Sequence, residues 1–245
     1  NEWKRQLLRT LFDSAEERLR LGHKQRGRNE QVTARQERLF GVFRESCQAA
    51  VALGCPTLMS AIGPGAASLD EVVANIRRAG AVAAEFKLRL AVEYQFQHPV
   101  VKSLDILRDL VTRAGEKSVG LLLDAYHLQR GGRPGAGFSD VPGEEIFYVQ
   151  YSDVPDAPPN GPPPVDRLPP GKGVVRWTEL FQLLAAKNYD GYVSYEAPNP
   201  AHWERSAAAV AGRRLDEALA FATEAVKLAP ESASYTDTLA EVHFA

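Results

Sequence analysis

Sulfur is scarce in this 245-residue chain: two cysteines, Cys47 and Cys55, and one methionine, Met59. The spacing of the cysteines matches no zinc or redox motif, which excludes a disulfide framework and predicts two free thiols in a reducing, cytoplasmic compartment. An excess of charge is also missing. Lys and Arg number 29 against 31 Asp and Glu, a formal net charge of −2. No dense basic run with interleaved aromatics occurs, so no nucleic-acid partner is expected. The basic stretch from Arg18 to Arg28 has Glu16, Glu17 and Glu30 beside it and reads as a solvated helix face. No apolar run approaches the ~20 residues needed to cross a bilayer, and no charged leader with an apolar core marks the amino end. Neither membrane association nor secretion is expected. The chain opens at Asn1 without a Met and stops at Ala245 inside helix-like sequence, as an internal segment of a longer protein would.

What the sequence does have is a set of polar residues ending hydrophobic runs. Glu93 ends LRLAVEYQ, Asp124 lies in VGLLLDAYH, Gln150 in IFYVQYSD and Glu196 in GYVSYEAP. Each run has the character of a buried parallel strand, and each polar residue stands where the chain should leave the sheet. In a βα-barrel, catalytic groups converge at that carboxyl end. Three carboxylates and an amide arriving at one place are hard oxygen ligands for a divalent cation. Alone, any one of the acids would read as half of an ion pair, and Gln150 as a buried amide satisfied by backbone. Together the acids would repel strongly without a cation.

Residues 2–22 and 31–53 read as helices, the second with Leu39, Val42, Phe43, Cys47, Ala50 and Val51 at helical spacing and Gly54 as its stop. Strands are expected at about 57–62, 88–94, 119–125, 146–152 and 192–196. Ser68 to Glu71 forms a capping-box pattern opening one intervening helix, and Leu104, Leu107, Leu110 and Val111 share a face of the next. The third strand is expected to run into a Gly-rich loop (Gly131, Gly132, Gly135, Gly137) and then a short helix. The fourth precedes a long Pro-rich loop and a helix carrying Trp177, Leu180, Phe181 and Leu184. The fold class is therefore α/β. A closed (β/α)8 barrel has eight strands, so about five parallel strands make a TIM barrel lacking its first strands, which would lie upstream of Asn1. Residues 1–205 are assigned to this barrel domain and 206–245 to a short all-helical tail. There Gly212 to Ala218, Ala222, Ala225, Pro230 and Tyr235 to Ala240 resemble a tetratricopeptide unit running into a second.

Five stretches in order resemble the xylose isomerase-like barrel superfamily, in particular its sugar-phosphate isomerase/epimerase branch. They are Leu90 to Glu93, Gly120 to His127, Val149 to Asp153, Asp166 to Gly173, and Gly191 to Glu196. The resemblance covers roughly 45–210 and is strongest over 88–200. It implies that Glu93, Asp124, Gln150 and Glu196 bind one divalent metal ion. Many members carry His at the third position; an amide oxygen there makes the set all-oxygen and favours Mn²⁺, Mg²⁺ or Co²⁺ over Zn²⁺. The resemblance also implies a metal-stabilised enediolate, with Glu93 and Glu196 removing and returning a proton. His127, in a D-x-x-H arrangement, and Arg167 would hold substrate oxygens.

The implied activity is a metal-dependent sugar (phosphate) isomerase or epimerase. Because Gln150 is familiar among dehydroshikimate dehydratase-like members, a lyase on the same barrel is the alternative, with a non-catalytic barrel-plus-repeat scaffold as another. An abasic-site endonuclease is disfavoured, since that branch builds a three-metal cluster with more histidines than these strands supply. The expected partners are a small sugar or keto-acid substrate and a protein on the repeat-like tail; a homo-oligomer is compatible. Asp153 reads either as a partner to the metal ligands or as a loop cap. His98, His23, His202, His243 and Trp203 lie outside the motifs.

Overall fold

The computed structural model describes residues 34–63, 68–161 and 163–200. The helix expected at 2–22, the tetratricopeptide-like tail, Trp203, His23, His202 and His243 lie outside them. The chain divides into two compact units, one up to Ala49 and one from Ala50 onward. The described part of the first is helical, and the helix (α1) runs over 34–52. Its apolar face is not the packed face that the spacing predicts: Leu39, Val42 and Val51 are about half exposed, while Cys47 and Ala50 are buried. Helical spacing gathers residues on one face but does not supply a surface to cover it.

The second unit repeats strand and helix: β1 (Thr57–Ala61), α2 (Leu69–Glu85), β2 (Arg89–Glu93), α3 (Leu104–Ala114), β3 (Val119–Asp124), α4 (Ala125–Arg130), β4 (Ile146–Tyr151), α5 (Trp177–Ala186) and β5 (Val193–Tyr195). The five strands form one sheet in the order β1-β2-β3-β4-β5, and every neighbouring pair is parallel. This is the half-barrel that alternating strand and helix patterns require. All six residues of β3 are buried, as a strand covered on both faces demands. The helices begin where local chemistry offers a cap. Ser68 Oγ accepts from Glu71 N at 3.2 Å and Ser103 Oγ from Ile106 N at 3.4 Å. Gly115 ends α3 in the left-handed region, at φ 72°. Among the described residues no helix is long and apolar enough to cross a membrane.

One irregularity matters for everything built on the sheet. Between β3 and β4 the register shifts by one residue, Leu121 facing Ile146 and Leu122 facing Tyr148, so that Phe147 is the extra residue. Without this bulge Val149 would stand opposite Asp124; with it, Gln150 does. Because side chains alternate along a strand, a slip of one residue decides which face a side chain serves. Phe147 is seated between the Arg89 guanidinium, 3.9 Å from the ring centroid, and the bare backbone of Gly120, where a methyl group would overlap the ring. Gly120→Ala should therefore cost about 1–3 kcal/mol through overpacking. Urea denaturation would show it as a lowered midpoint, with an unchanged midpoint meaning that Phe147 is not seated there.

Candidate metal centre

The strand ends bring the four expected polar residues to one edge of the sheet. Glu93 closes β2, Asp124 closes β3 and faces Gln150 of β4. Glu196 follows β5, its amide continuing the ladder by donating to the Tyr151 carbonyl at 3.1 Å. Glu93, Asp124 and Gln150 are all buried. Asp124 divides its two oxygens. Oδ1 caps α4 by accepting from Tyr126 N at 2.9 Å, which leaves Oδ2 for the site. The helix thus starts at the residue after Asp124, ahead of the Gly-rich loop that was expected to come first. An acceptor side chain followed at once by helix-forming Ala-Tyr-His-Leu outweighs the glycines further on. His127 sits on the first turn of α4, its Nε2 3.6 Å from Glu93 Oε1 and 3.8 Å from Asp124 Oδ2. Ligand atoms of Glu93, Asp124 and His127 all lie within 4.8 Å of one another.

Arg167 arrives from the loop between β4 and α5 and is buried. Its Nη1 lies 2.5 Å from Asp124 Oδ2 and donates to Ser152 Oγ at 3.1 Å and the Glu196 carbonyl at 3.2 Å. Nη2 lies 3.5 Å from Glu196 Oε2 and 3.3 Å from His127 Nε2. The surface pairing of Asp166 with Arg167, an alternative reading of these neighbours, does not form; Asp166 pairs with Arg130 at 3.1 Å. Asp153 proves to be the loop's fastening. Its carboxylate accepts from Val154 N, Val175 N, Gly171 N and Trp177 Nε1. Its backbone pairs with Leu168 in both directions. His98 is likewise structural: Nδ1 accepts from Val100 N and Val101 N, so the ring proton sits on Nε2 and meets the Gly63 carbonyl at 3.1 Å.

The sequence model of the xylose isomerase-like TIM barrel matches residues 29–233. The chain belongs to that family. An inosose isomerase of Halalkalibacterium halodurans is 27% identical over 128 residues, 51% of this chain and 45% of that protein. A 3-dehydroshikimate dehydratase of Pseudomonas aeruginosa is 34% identical over 122 residues, 49% of this chain and 18% of that one. The chain thus spans less than half the length of both relatives. Among solved structures, the IolI protein with a bound zinc atom shares the fold at a TM-score of 0.60 and 18% identity, over 83% of this chain and 69% of that one.

Within this family member the electrostatics of the strand ends are unbalanced. Glu93 is pushed up to about 9, chiefly by burial, then by the negative charges of Asp124 and Glu196, with Arg167 pulling the other way. Glu196 is raised less far by burial, again opposed by Arg167. Burial lowers His127 to about 4, so its ring is neutral near pH 7 and has one lone pair. Phe96 N donates toward Nδ1 at 3.4 Å while Arg167 faces Nε2. Each ring nitrogen thus faces a donor, and the neutral ring has a lone pair for only one of them. Three buried oxygens, Glu93 Oε1, Asp124 Oδ2 and Gln150 Oε1, accept no hydrogen bond; Asp124 Oδ2 meets Arg167 without a hydrogen bond's alignment. Buried acceptors without donors are costly, and hard oxygens of this kind fit a divalent cation.

What the sequence reading missed here is Ser152, Tyr126 and the fastening of Asp166 to Tyr126 and Arg130. Of these, only Ser152 had a usable signal, its place two residues beyond Gln150 on the same face.

A raised Glu93 means that the folded, metal-free chain holds a proton that the unfolded chain releases near the ordinary carboxyl range. Its stabilising effect is complete below about 4.5 and is lost as pH climbs toward about 9. A divalent cation taken up by Glu93 would have to displace that proton, and Mn²⁺ affinity is then expected to rise by up to roughly tenfold per pH unit across this window. Titration calorimetry at several pH values checks it; a flat profile would contradict the burial of a protonated Glu93.

Proposed function

We propose that this half-barrel carries the centre of a divalent-metal-dependent isomerase or epimerase acting on a keto sugar or keto polyol. The observation that carries the reading is the trio of buried oxygens on Glu93, Asp124 and Gln150 that accept no hydrogen bond, only Asp124 Oδ2 having a charged neighbour in Arg167. In this reading these three and Glu196 hold one metal ion. The all-oxygen set favours Mn²⁺, Mg²⁺ or Co²⁺, although the IolI protein holds zinc. When bound, the ion supplies Lewis-acid polarisation of a carbonyl and charge for an enediolate.

The chain's own groups do the rest. Glu196, with a side chain 43% exposed and Arg167 3.5 Å away, is suited to take a proton from the carbon beside the carbonyl. Glu93, deeper at the end of β2 and deprotonated once it holds the metal, is the second carboxylate suited to proton transfer at that carbon, taking up from a substrate hydroxyl or solvent the proton it returns on the opposite face. The His127 ring and the Arg167 fork are donors for substrate oxygens. The inosose isomerase relative supports a neutral cyclic ketone as substrate.

A second reading, a lyase of the dehydroshikimate dehydratase type, is favoured by Gln150 and by the 34% identity to such an enzyme. Proton abstraction beside a carbonyl begins both reactions, and they part at whether the proton returns or a hydroxyl leaves. The scaffold reading gains no support from these residues, since a scaffold has no use for orphaned acceptors converging at strand ends.

The test is to incubate the Mn²⁺-loaded chain in D₂O with inosose or with 3-dehydroshikimate. Deuterium entering the carbon beside the inosose carbonyl, seen by NMR, supports the isomerase. Loss of water from dehydroshikimate to an aromatic acid, seen by ultraviolet absorbance, supports the lyase. Glu196→Gln should lower either rate by about 10²-fold or more. A metal-loaded chain that acts on neither compound would sink both.

A further inference from the structure

The segment bearing Arg167 is fastened on both sides of that residue. After it, Leu168 exchanges two backbone hydrogen bonds with Asp153, at 2.7 and 2.9 Å. Before it, Asp166 turns to α4, where Oδ1 accepts from the Tyr126 hydroxyl at 2.5 Å and Oδ2 from Arg130 Nη2 at 3.1 Å. Arg130 Nη1 also donates to the Ala157 carbonyl in the same loop at 2.5 Å. The Asp166 and Arg130 side chains are only 10% and 11% exposed, and Tyr126 is fully buried. The Arg167 guanidinium lies 4.4 Å from the Tyr126 ring centroid, a cation–π distance. Tyr126 therefore touches both members of the Asp166–Arg167 pair, one through its hydroxyl and the other through its ring.

Withdrawing a carboxylate, a guanidinium and a phenol from water is costly unless each is paired. A loop that needed only to cover the sheet could leave Asp166 in solvent. Here Asp166 accepts from both Tyr126 and Arg130, while Arg130 Nη1 goes to the Ala157 carbonyl and its Nε has no partner; the neighbour they fix in place is the residue whose charge sits on Asp124.

We propose that Asp166, clamped by Tyr126 and Arg130, is a positioning residue: it holds Arg167 against Asp124 and thereby sets how tightly the strand-end acids take a divalent cation. This rests on the metal reading above. A guanidinium on Asp124 competes with the metal for that oxygen and repels it. Loosening the clamp should therefore tighten metal binding, the opposite of what general damage to the site would do.

The experiment measures Mn²⁺ affinity by calorimetry for wild type, Asp166→Asn, Tyr126→Phe and Arg167→Met, and for each clamp variant combined with Arg167→Met. Arg167→Met should bind Mn²⁺ roughly tenfold more tightly. Asp166→Asn and Tyr126→Phe should move the same way, by about threefold or more, and should add nothing once Arg167 is gone. Tyr126→Phe changes no charge, which separates the clamp from a plain charge effect. Unchanged or weaker affinity in both clamp variants, equally with and without Arg167, would overturn the proposal. A metal-free readout keeps the two readings apart. The Arg167 Nε–Hε NMR signal, displaced by the Tyr126 ring in wild type, should move to the position of a solvated arginine in Asp166→Asn. If that signal stays put, the clamp is wrong. If it moves but no folded form binds Mn²⁺, the metal reading fails and the positioning role of Asp166 stands.

Discussion

Parallel strands that all run the same way deliver their last residues to one edge, and in this chain three of those residues are acids. Concentrated negative charge is the constraint on which the rest of the site depends. Arg167 answers part of it through its 2.5 Å contact with Asp124 and its approach to Glu196. One guanidinium is not enough. Glu93 still stands at about 9, chiefly because it is buried and then because of the charges of Asp124 and Glu196, and Glu93 Oε1 and Gln150 Oε1 accept no hydrogen bond. A second source of positive charge is what the remaining imbalance calls for, and the donor chemistry favours a hard metal ion over another arginine.

The machinery around this edge is a set of local devices, each with a definite effect on the acids. The Phe147 bulge turns Gln150 rather than Val149 toward Asp124. The α4 cap takes one Asp124 oxygen and releases the other. Asp153 ties down the loop from which Arg167 enters. None of these devices is chemistry in itself. Together they place Glu93, Asp124, Gln150 and Glu196 at one edge of the sheet, in a chain whose relatives include an inosose isomerase and a 3-dehydroshikimate dehydratase.

Much of the fold was legible because buried parallel strands are written as uninterrupted apolar runs that end on a polar residue. That one rule located all five strands and the four residues at their ends. The cap at Ser68 is equally local. What escaped is what depends on contacts far apart in sequence. Asp153 was open between a partner for the metal ligands and a loop cap, and the structure makes it the cap, its carboxylate serving backbone groups as far away as Val175. Arg167 was expected to turn inward, but that its neighbour Asp166 goes to Tyr126 and Arg130 depends on the fold alone. The bulge left no mark at all, since Ile146 to Tyr151 reads as a regular strand whichever residue is the extra one. The exposed face of the 34–52 helix failed for a simpler reason: periodicity describes a stripe and says nothing of what lies opposite.

The most direct test of the account is a crystal of the chain soaked in Mn²⁺ and measured at a wavelength where manganese scatters anomalously. The account expects one anomalous peak among Glu93, Asp124, Gln150 and Glu196, with oxygens at about 2.0–2.6 Å and Arg167 moved off Asp124 Oδ2. An empty strand edge with the Asp124–Arg167 contact intact, in a crystal saturated with manganese, would contradict it.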